Sequence, residues 1–438
     1  MTALALSLPT RSPTSGRSVT HKLALALVWL TVASGAVVFT EPAPVDVLTM
    51  GLVVLLPLIG LVAVPRALLI LLGVMLTASA AGFLAAGNAA DLALATTHTG
   101  VSLYLYVATF LFAAFVAKHS EAHARLILNA YAWAAMAAAV AGIIGYFDLV
   151  PDAHELMTRY GRATGLFKDP NVFGPFLVPG FVYALYRLAG APARRSILTL
   201  CVLLVLGLAL LLSFSRGAWL NLGVAVAIYS ALHILTVRSH RARLKFMTFA
   251  IVGIAAIAGL VVVVLQLDEV SGLASERASL SQGYDQGPEG RFGGQEKAAR
   301  LAVQYPLGIG AQQFVPQYHH EEPHNVYVTM FLNAGWVGGL LFLALVWSTV
   351  VWGLRHAFVR CASQPLFLVV YACFVANALE GAIIDLDHWR HFYLLLALVW
   401  GLMLGNEGVR PLASSLSLRA DTTSARGLTP TPPGSVGA

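Results

Sequence analysis

The chain has 438 residues, of which 58% are hydrophobic and only 11% are charged. About a quarter of the residues of a typical soluble domain are charged, so this composition excludes an ordinary soluble globular protein. The formal net charge is +6. The distribution of the basic residues along the chain indicates membrane orientation, so the net charge gives no reason to infer nucleic-acid binding.

Apolar segments of roughly 20 residues recur from Leu23 almost to Gly405, and each is long enough to cross a hydrocarbon core about 30 Å thick. Lipid offers the backbone no hydrogen-bond partner, so such segments form helices. We therefore predict an all-α fold, a polytopic integral membrane protein with about twelve transmembrane helices. The predicted spans are residues 23–40, 46–64, 67–86, 99–117, 126–149, 172–190, 196–213, 217–237, 247–266, 326–352, 364–383 and 389–405.

The polar segments divide the chain into a membrane domain and two tails. Residues 1–22 are rich in Ser, Thr and Arg and are predicted to form a cytoplasmic N-terminal tail. Residues 406–438 are rich in Ser, Thr, Pro and Gly and are predicted to form a disordered cytoplasmic tail. The membrane domain, residues 23–405, contains one large predicted periplasmic loop, residues 267–325, between spans nine and ten.

The distribution of charge predicts the orientation of these spans. With both termini in the cytoplasm, 18 of the 27 Lys and Arg residues but only 3 of the 21 Asp and Glu residues fall on the inner side. Inner segments of membrane proteins carry such an excess of basic residues. The segments 151–171 and 267–325 then face the outer side, and both are long enough to carry a site.

Arg216 lies between spans seven and eight, in the sequence SFSRGA of residues 213–218. An arginine at a membrane boundary is costly unless it reaches water or an anion. One interpretation is a side chain that extends to the interface from a helix end. The other is an anion ligand, supported by the helix N-terminus at the start of span eight.

The outer segment before span six contains two further cations, Arg162 and Lys168. They are either solvated loop charges or phosphate ligands. The sequence Asp169-Pro170-Asn171 is predicted to cap span six, because Asp and Asn accept hydrogen bonds from the first amides of a helix and Pro favours its first position.

The large outer loop contains a short stretch of helical composition, residues 295–304, which ends before Pro306. Arg291 precedes this stretch and Arg300 lies within it.

Three histidines follow in the same loop. His319 and His320 are predicted to be solvated, with side chains that point in different directions. His324 is followed by Asn325 and then by span ten, so its position is predicted to be fixed. A neutral imidazole at this position can accept a proton.

The pattern Asp385-Leu386-Asp387 at the outer end of span eleven has two interpretations. A DxD pattern can hold a divalent cation for a sugar-phosphate donor, but we favour helix-end carboxylates beside Arg390. Glu380 is expected to pair with an arginine. The histidine spacing matches no zinc pattern, and the chain has no Walker-type phosphate loop, Rossmann glycine fingerprint or G-x-S-x-G elbow. We therefore predict a site without metal or cofactor, acting on a donor that arrives already activated.

Four motifs in order resemble those of the O-antigen ligase family, whose superfamily also contains O-antigen polymerases and bacterial protein O-oligosaccharyltransferases. They are the R-x-x-G-x-F-x-D-P-N-x-x-G pattern of residues 162–174, the SRGA of residues 215–218, Arg291 ahead of the PLGIG of residues 306–310, and the PHN of residues 323–325. His324 and Gly335 are separated by ten residues, a spacing associated with the ligases.

The resemblance implies a membrane-embedded, inverting glycosyltransferase without nucleotide sugar or metal. It would move polysaccharide from undecaprenyl pyrophosphate to a hydroxyl of the lipid A–core in lipopolysaccharide biosynthesis, at a periplasmic site in the bacterial inner membrane. It implies that Arg216 and Arg291 bind the pyrophosphate and that His324 activates the acceptor hydroxyl. Arg291 and Arg300 both stay open as the matching loop arginine. The predicted substrate-binding residues are Arg162, Lys168, Asn171, Arg300 and Asn325.

Alternative functions stay open. An O-antigen polymerase or a protein O-oligosaccharyltransferase would share these motifs, because the acceptor is recognised by loop surface. A transporter or flippase of lipid-linked sugar would also suit twelve spans. A transporter should line its midplane with polar residues, whereas the polar residues of this chain gather at the outer face.

Overall fold

The computed structural model describes residues 14–190, 193–264, 266 and 287–405. Residues 1–13 and 406–438 of the two predicted tails, and residues 267–286 of the predicted outer loop, lie outside the described residues. Within the described part, every predicted apolar span overlaps a helix.

The described chain is mostly helical, with one short hairpin. The strands β1 (Thr158–Arg159) and β2 (Arg162–Ala163) pair antiparallel. The helices are α1 (Thr14–Ser34), α2 (Pro44–Leu58), α3 (Arg66–Ala86), α4 (Leu92–Lys118), α5 (Ser120–Tyr146), α6 (Ala153–Met157), α7 (Pro170–Gly190), α8 (Ala193–Leu212), α9 (Arg216–Thr236), α10 (His240–Val264), α11 (Arg291–Gln304), α12 (Phe314–Gln317), α13 (Val326–Ala357), α14 (Gln364–Glu380) and α15 (Arg390–Leu404).

Five described helices, α3, α4, α5, α9 and α13, are long and apolar enough to cross a membrane. Shorter apolar helical segments occur in α1, α2, α8, α14 and α15. The protein is therefore a helical membrane protein, and the count of twelve spans stays a prediction.

Several helices extend beyond the apolar segments that predicted them. α1 begins at Thr14, so residues 14–22 of the predicted tail are helical, and α4 begins at Leu92. Asp91 caps α4 by accepting a hydrogen bond from the Leu94 amide at 2.9 Å. Hydropathy marks the length that suits lipid, whereas the helix continues into polar surroundings until a cap ends it.

The helices pack in pairs that join distant parts of the sequence. α4 packs against α15, α3 against α13, and α9 against α14. Small residues allow close approach: a Cβ at Gly401 on α15 would lie 2.8 Å from the Ala113 carbonyl oxygen on α4. Such contacts are the usual basis of helix association in lipid, where burial of apolar surface offers no gain.

α13 is interrupted at Ala334 and Gly335, and Gly335 has a φ of 63°. The PLGIG turn of residues 306–310 packs into this break, where the Trp336 amide donates to the Pro306 carbonyl at 2.8 Å. A Cβ at Gly335 would lie 2.6 Å from the same oxygen, so the position suits glycine alone. The break thereby holds the end of α11 against the helix that follows His324.

Candidate active site

A cleft with about 1340 Å³ of empty space, part of it open to solvent, lies at one end of the helix bundle. Four described helices, α7, α9, α11 and α13, begin at or next to its lining. The N-terminus of a helix carries partial positive charge, so these four ends together favour an anion. The lining consists of Arg162, Asn171, Phe214, Ser215, Arg216, Gly217, Leu220, Arg291, Phe292, Glu321, His324, Ile383 and Ile384.

Arg216 is the first residue of α9 and lines the cleft. Phe214, with a φ of 45°, turns the chain sharply between α8 and α9. Ser215 is the N-cap, and its side chain accepts a hydrogen bond from the Ala218 amide at 3.3 Å. The predicted helix N-terminus therefore stands beside a guanidinium, and both favour negative charge in the cleft.

Arg291 occupies the same position on α11, as its first residue after the N-cap Gly290. It is half-buried and lines the same cleft as Arg216. The helix begins four residues earlier than its composition predicted, and the earlier start places Arg291 on the helix.

His324 precedes α13 and has a left-handed φ of 51°, which is uncommon outside glycine. Two side chains hold this backbone. The amide of His324 donates to Oδ2 of Asp385 at 2.8 Å, and Nε2 of Gln295 donates to the His324 carbonyl at 3.1 Å. Because Gln295 lies one turn after Arg291, α11 positions both the arginine and the histidine.

The charge state of His324 is set by its surroundings. Burial lowers the pKa of His324, and the positive charge of Arg291 lowers it further. Glu321 raises this pKa; its Oε2 lies 3.8 Å from Nε2 of His324, too far for a hydrogen bond. The net direction is downward, so the imidazole is neutral at neutral pH and can accept a proton.

Arg162 lies on β2, after a two-residue turn whose residues, Tyr160 and Gly161, both have positive φ, as hairpin turns require. Its side chain is buried: Nε donates to the Ser213 carbonyl at 2.8 Å and Nη2 donates to Oδ1 of Asn171 at 2.7 Å. The interpretation of Arg162 as a solvated loop charge is therefore wrong. It joins the end of α8 to the start of α7 at the cleft wall.

The predicted cap of α7 is confirmed. Oδ1 of Asp169 accepts a hydrogen bond from the Asn171 amide at 2.7 Å, and Pro170 is the first helical residue. The cap presents the Asn171 side chain to the cleft.

Three predicted substrate-binding residues do not line the cleft. Lys168 is half exposed, with Nζ 3.5 Å from Oε1 of Glu41. Arg300 is exposed and pairs with Glu296 one turn earlier on α11. Asn325 is the N-cap of α13, and its Oδ1 accepts from the amides of residues 327 and 328 at 3.2 Å and 3.3 Å. The structure brings together Arg162, Asn171, Arg216, Arg291 and His324.

Sequence reasoning missed Glu321 and Gln295, which shape the site, and it did not link Asp385 to His324. The i, i+4 spacing of Arg291 and Gln295 on one helix face was a usable signal. No local signal links Asp385 to His324, which lies 61 residues earlier in the chain.

The expectation that His319 and His320 are both solvated and point in different directions is correct only for the solvation of His320. His320 is exposed, but His319 is buried. A Cβ at Gly294 would lie 3.0 Å from the His319 ring, so this glycine makes room for the imidazole. The rings of His319 and His320 stack with their centroids 4.5 Å apart.

Asp385 and Asp387 do not pair with Arg390, which instead forms two 2.7 Å hydrogen bonds with Asp46 on α2. Burial raises the pKa of Asp385 to about 7, and the neighbouring Asp387 adds to this. Burial alone would raise the pKa of Asp387, but the hydrogen bond with His98 and the charges of His388 and His98 together outweigh burial and bring the pKa to about 2.

Among the described contacts, Glu380 pairs with an asparagine and not with the expected arginine. Its Oε2 accepts a hydrogen bond from Nδ2 of Asn221 at 2.5 Å. Glu380 is buried beside the first turn of α9, where a Cβ at Gly217 would lie 2.7 Å from Oε1 of Glu380.

Among the residues that the structure describes, two groups of side chains have potential metal-ligand atoms within 4.8 Å of one another. One is His98, Asp387 and His388, and the other is Glu289, His319 and His320. In the first group, Nε2 of His98 lies 3.0 Å from Asp387 and the two imidazoles stack at 3.8 Å, so these side chains already have partners. The predicted absence of a metal stays a prediction.

Residues 200–343, about a third of the chain, match the model of the O-antigen ligase family. Over this segment the chain is similar to that family. The resemblance drawn from the motifs is thereby confirmed, and the matched segment contains Arg216, Arg291, His324 and Gly335. The match supports a transferase role for the matched segment. No curated protein matches the chain.

Proposed function

We propose that the chain is an O-antigen ligase of the bacterial inner membrane. It transfers polysaccharide from undecaprenyl pyrophosphate to a hydroxyl of the lipid A–core, with inversion and without a metal. The termini are cytoplasmic and the cleft faces the periplasm. The observation that carries the proposal is the meeting of Arg216, Arg291 and His324 around one cleft.

The two arginines suit a pyrophosphate leaving group. Each is the first residue of its helix, so a guanidinium and a helix N-terminus act on the same anion from each side. Negative charge develops on the leaving phosphate oxygen as the glycosidic bond breaks, and fixed cations lower the free energy of that transition state.

His324 suits the acceptor side. Its imidazole takes the proton of the acceptor hydroxyl while the oxygen bonds to the anomeric carbon, and the bond from that carbon to the pyrophosphate breaks with its electron pair on undecaprenyl pyrophosphate. This single displacement inverts the anomeric centre. The apolar residues Leu220, Ile383 and Ile384 beside the cations suit a substrate that is part lipid and part anion.

The assignment as a ligase rests on the spacing between His324 and Gly335, which has a structural basis: Gly335 accommodates the turn that positions α11. Polymerase or protein O-oligosaccharyltransferase activity would use the same chemistry on another acceptor. A flippase is disfavoured because Asp46, Glu380 and Arg390, three charged residues of the described apolar helices, lie in the first or last turn and so away from the midplane.

The test is to delete the gene in its own bacterium and complement it with wild type or Arg216→Ala. For a ligase, deletion removes polymer-capped lipid A–core while undecaprenyl-linked polymer accumulates. Only the wild-type gene restores the capped lipid A–core. Accumulation of single repeat units would instead indicate a polymerase. Loss of glycoprotein with normal lipopolysaccharide would indicate a protein glycosyltransferase. Retention of the lipid-linked donor on the cytoplasmic side would indicate a flippase.

A further inference from the structure

A second polar cavity, the basic pocket, lies at the end of the bundle opposite the cleft. It holds about 810 Å³ of empty space, part of it open to solvent, between the α9–α10 connection and the α13–α14 connection. Both α9 and α13 run from the cleft to this pocket. At about 1.5 Å per residue, the 21 residues of α9 cover roughly 30 Å, the thickness of a hydrocarbon core. The basic pocket therefore lies at the other membrane interface.

Three guanidinium groups, from Arg238, Arg243 and Arg360, converge on the basic pocket. The described lining contains no carboxylate. Like charges around one cavity repel one another, and an anion between them removes that repulsion. The remaining lining residues are Leu235, Thr236, Val237, Phe358 and Gln364.

Arg243 is the most enclosed of the three. Its Nη2 donates to the Val237 carbonyl at 2.8 Å, whereas its Nε is buried and has no hydrogen-bond partner in the described part of the chain. Buried donors are normally paired, so the hydrogen-bonding capacity of this guanidinium is only partly used. Phosphate oxygens match the planar fork of arginine donors.

The mouth of the basic pocket indicates where the phosphate comes from. Leu235 is 67% exposed and Phe358 is 51% exposed, and both stand beside the arginines. A free phosphate would leave this apolar surface unused, whereas a lipid places its headgroup on the cations and its acyl chains on the apolar side chains. Basic pockets between transmembrane helices bind anionic lipid headgroups in this manner.

We propose that the basic pocket binds the phosphate headgroup of an anionic glycerophospholipid in the membrane leaflet opposite the cleft. The bound headgroup joins the α9–α10 connection to the α13–α14 connection. α9 begins with Arg216, and α13 follows His324. The lipid therefore holds together the far ends of two helices that form the active site.

The test uses the full-length protein in detergent with phosphatidylglycerol or zwitterionic phosphatidylcholine as the probe. The variant is Arg243→Gln with Arg360→Gln. The matched control is Arg187→Gln with Arg355→Gln, two exposed arginines in the last turns of α7 and α13 that lie outside the pocket lining. Bound lipid is counted by native mass spectrometry, and Tm is measured with and without each lipid.

We expect phosphatidylglycerol, but not phosphatidylcholine, to be retained and to raise Tm in wild type and control. The pocket variant should retain it about tenfold less and lose the Tm shift, since two of three charge-assisted contacts are gone. Equal retention in all three proteins would overturn the proposal. Displacement of the lipid by inorganic phosphate at physiological ionic strength would also overturn it, by assigning the site to a soluble anion. Should the pocket variant not elute as folded protein, Arg360→Gln alone, at an exposed position, takes the same test.

Discussion

The imidazole of His324 is surrounded by charges of both signs from several segments of the chain. Burial lowers its pKa, and the positive charge of Arg291 acts in the same direction. The lowering effects outweigh the carboxylates, so His324 is poised to accept a proton, not to donate one. The titratable and charged groups that face it are Arg291, Glu321, Asp169, His319 and Asp385.

We predict that His324→Ala lowers kcat by about 10²–10⁴-fold, the usual contribution of a general base, while donor binding stays close to wild type. The matched control is His320→Ala, because His320 is exposed and lies outside the cleft lining. His319→Ala is not a control, since its ring is buried against Gly294. The measurement is transfer from purified undecaprenyl-linked donor to lipid A–core by reconstituted protein, with donor binding measured separately.

The same assay has a pH arm. Because its pKa is lowered from the ordinary histidine value of 6.5, His324 is still neutral at that pH. Activity should therefore fall only at a pH below 6.5. Arg291→Gln removes a positive charge, so the pKa of His324 should rise and the acid limb should move to higher pH. Normal turnover in His324→Ala would refute the base assignment, and loss of donor binding would move His324 to the pyrophosphate site.

Arg216→Ala should lower transfer by about 10²–10³-fold, the effect of removing one fixed donor from a developing oxyanion. Arg216→Lys should restore only part of the activity, because lysine is a point charge without the guanidinium fork. Abundance in the membrane, measured by immunoblot, controls for folding. Full activity of Arg216→Ala at normal abundance would mean that the side chain only reaches toward the interface.

We expect activity to survive EDTA, because the proposed mechanism assigns the leaving-group charge to arginines. Asp385 and Asp387 have separate partners, His324 and His98, and so are not arranged as a pair around one cation. Loss of transfer in chelator with rescue by Mg²⁺ or Mn²⁺ would restore the DxD interpretation.

The break in α13 is the element that connects the two halves of the site. The PLGIG turn sits in the break, with the Ile309 amide donating to the Leu332 carbonyl at 2.9 Å, and α11 precedes the turn. Trp336 adds a side-chain bond, from Nε1 to the Ala302 carbonyl on α11 at 2.8 Å. The ten residues between His324 and Gly335 are therefore the stretch of α13 that separates the histidine from the break, where the turn after α11 packs.

We predict that Gly335→Ala destabilises the protein by at least about 1–2 kcal/mol, the cost of a left-handed backbone for a residue with a Cβ. The contact with the Pro306 carbonyl adds to this and should displace α11, so transfer should fall as well. Gly223→Ala on α9 is the control, since a Cβ there meets nothing within 4 Å. The measurements are Tm in detergent and transfer activity; a Tm unchanged from the Gly223→Ala control would show that the break tolerates a side chain.

The whole molecule has two polar ends with different chemistry. The cleft end combines arginines with Glu321 and His324, whereas the opposite end has a pocket lined by arginines and no described carboxylate. The excess of basic residues at the second end is the pattern of cytoplasmic segments.

This charge pattern predicts membrane orientation. A reporter fused after Arg241 should read cytoplasmic, and one fused after Gly287 should read periplasmic. The measurement is a pair of alkaline phosphatase and fluorescent-protein fusions at each site. Reversed readings at both positions would overturn the orientation and place the cleft in the cytoplasm.

Much of the local structure was predictable from the sequence because its causes are local. Lipid forces apolar segments into helices, and a helix overlaps each predicted span. The caps of α7 and α9 follow from Asp169 and Ser215, since these side chains reach amides only two or three residues away. The motif spacing around Arg216, Arg291 and His324 sufficed to indicate the family.

Only the tertiary structure decided which of the candidate residues share one cleft. Arg162 finds its partner at Ser213, His324 at Asp385, and Arg390 at Asp46, across separations that no local pattern encodes. Arg300 and Lys168 have suitable charge and lie in the right segments, yet they stand outside the cleft lining. His319 is buried because Gly294 leaves room for its ring. Helix packing fixes these contacts, and the packing depends on close approach between small residues far apart in the chain.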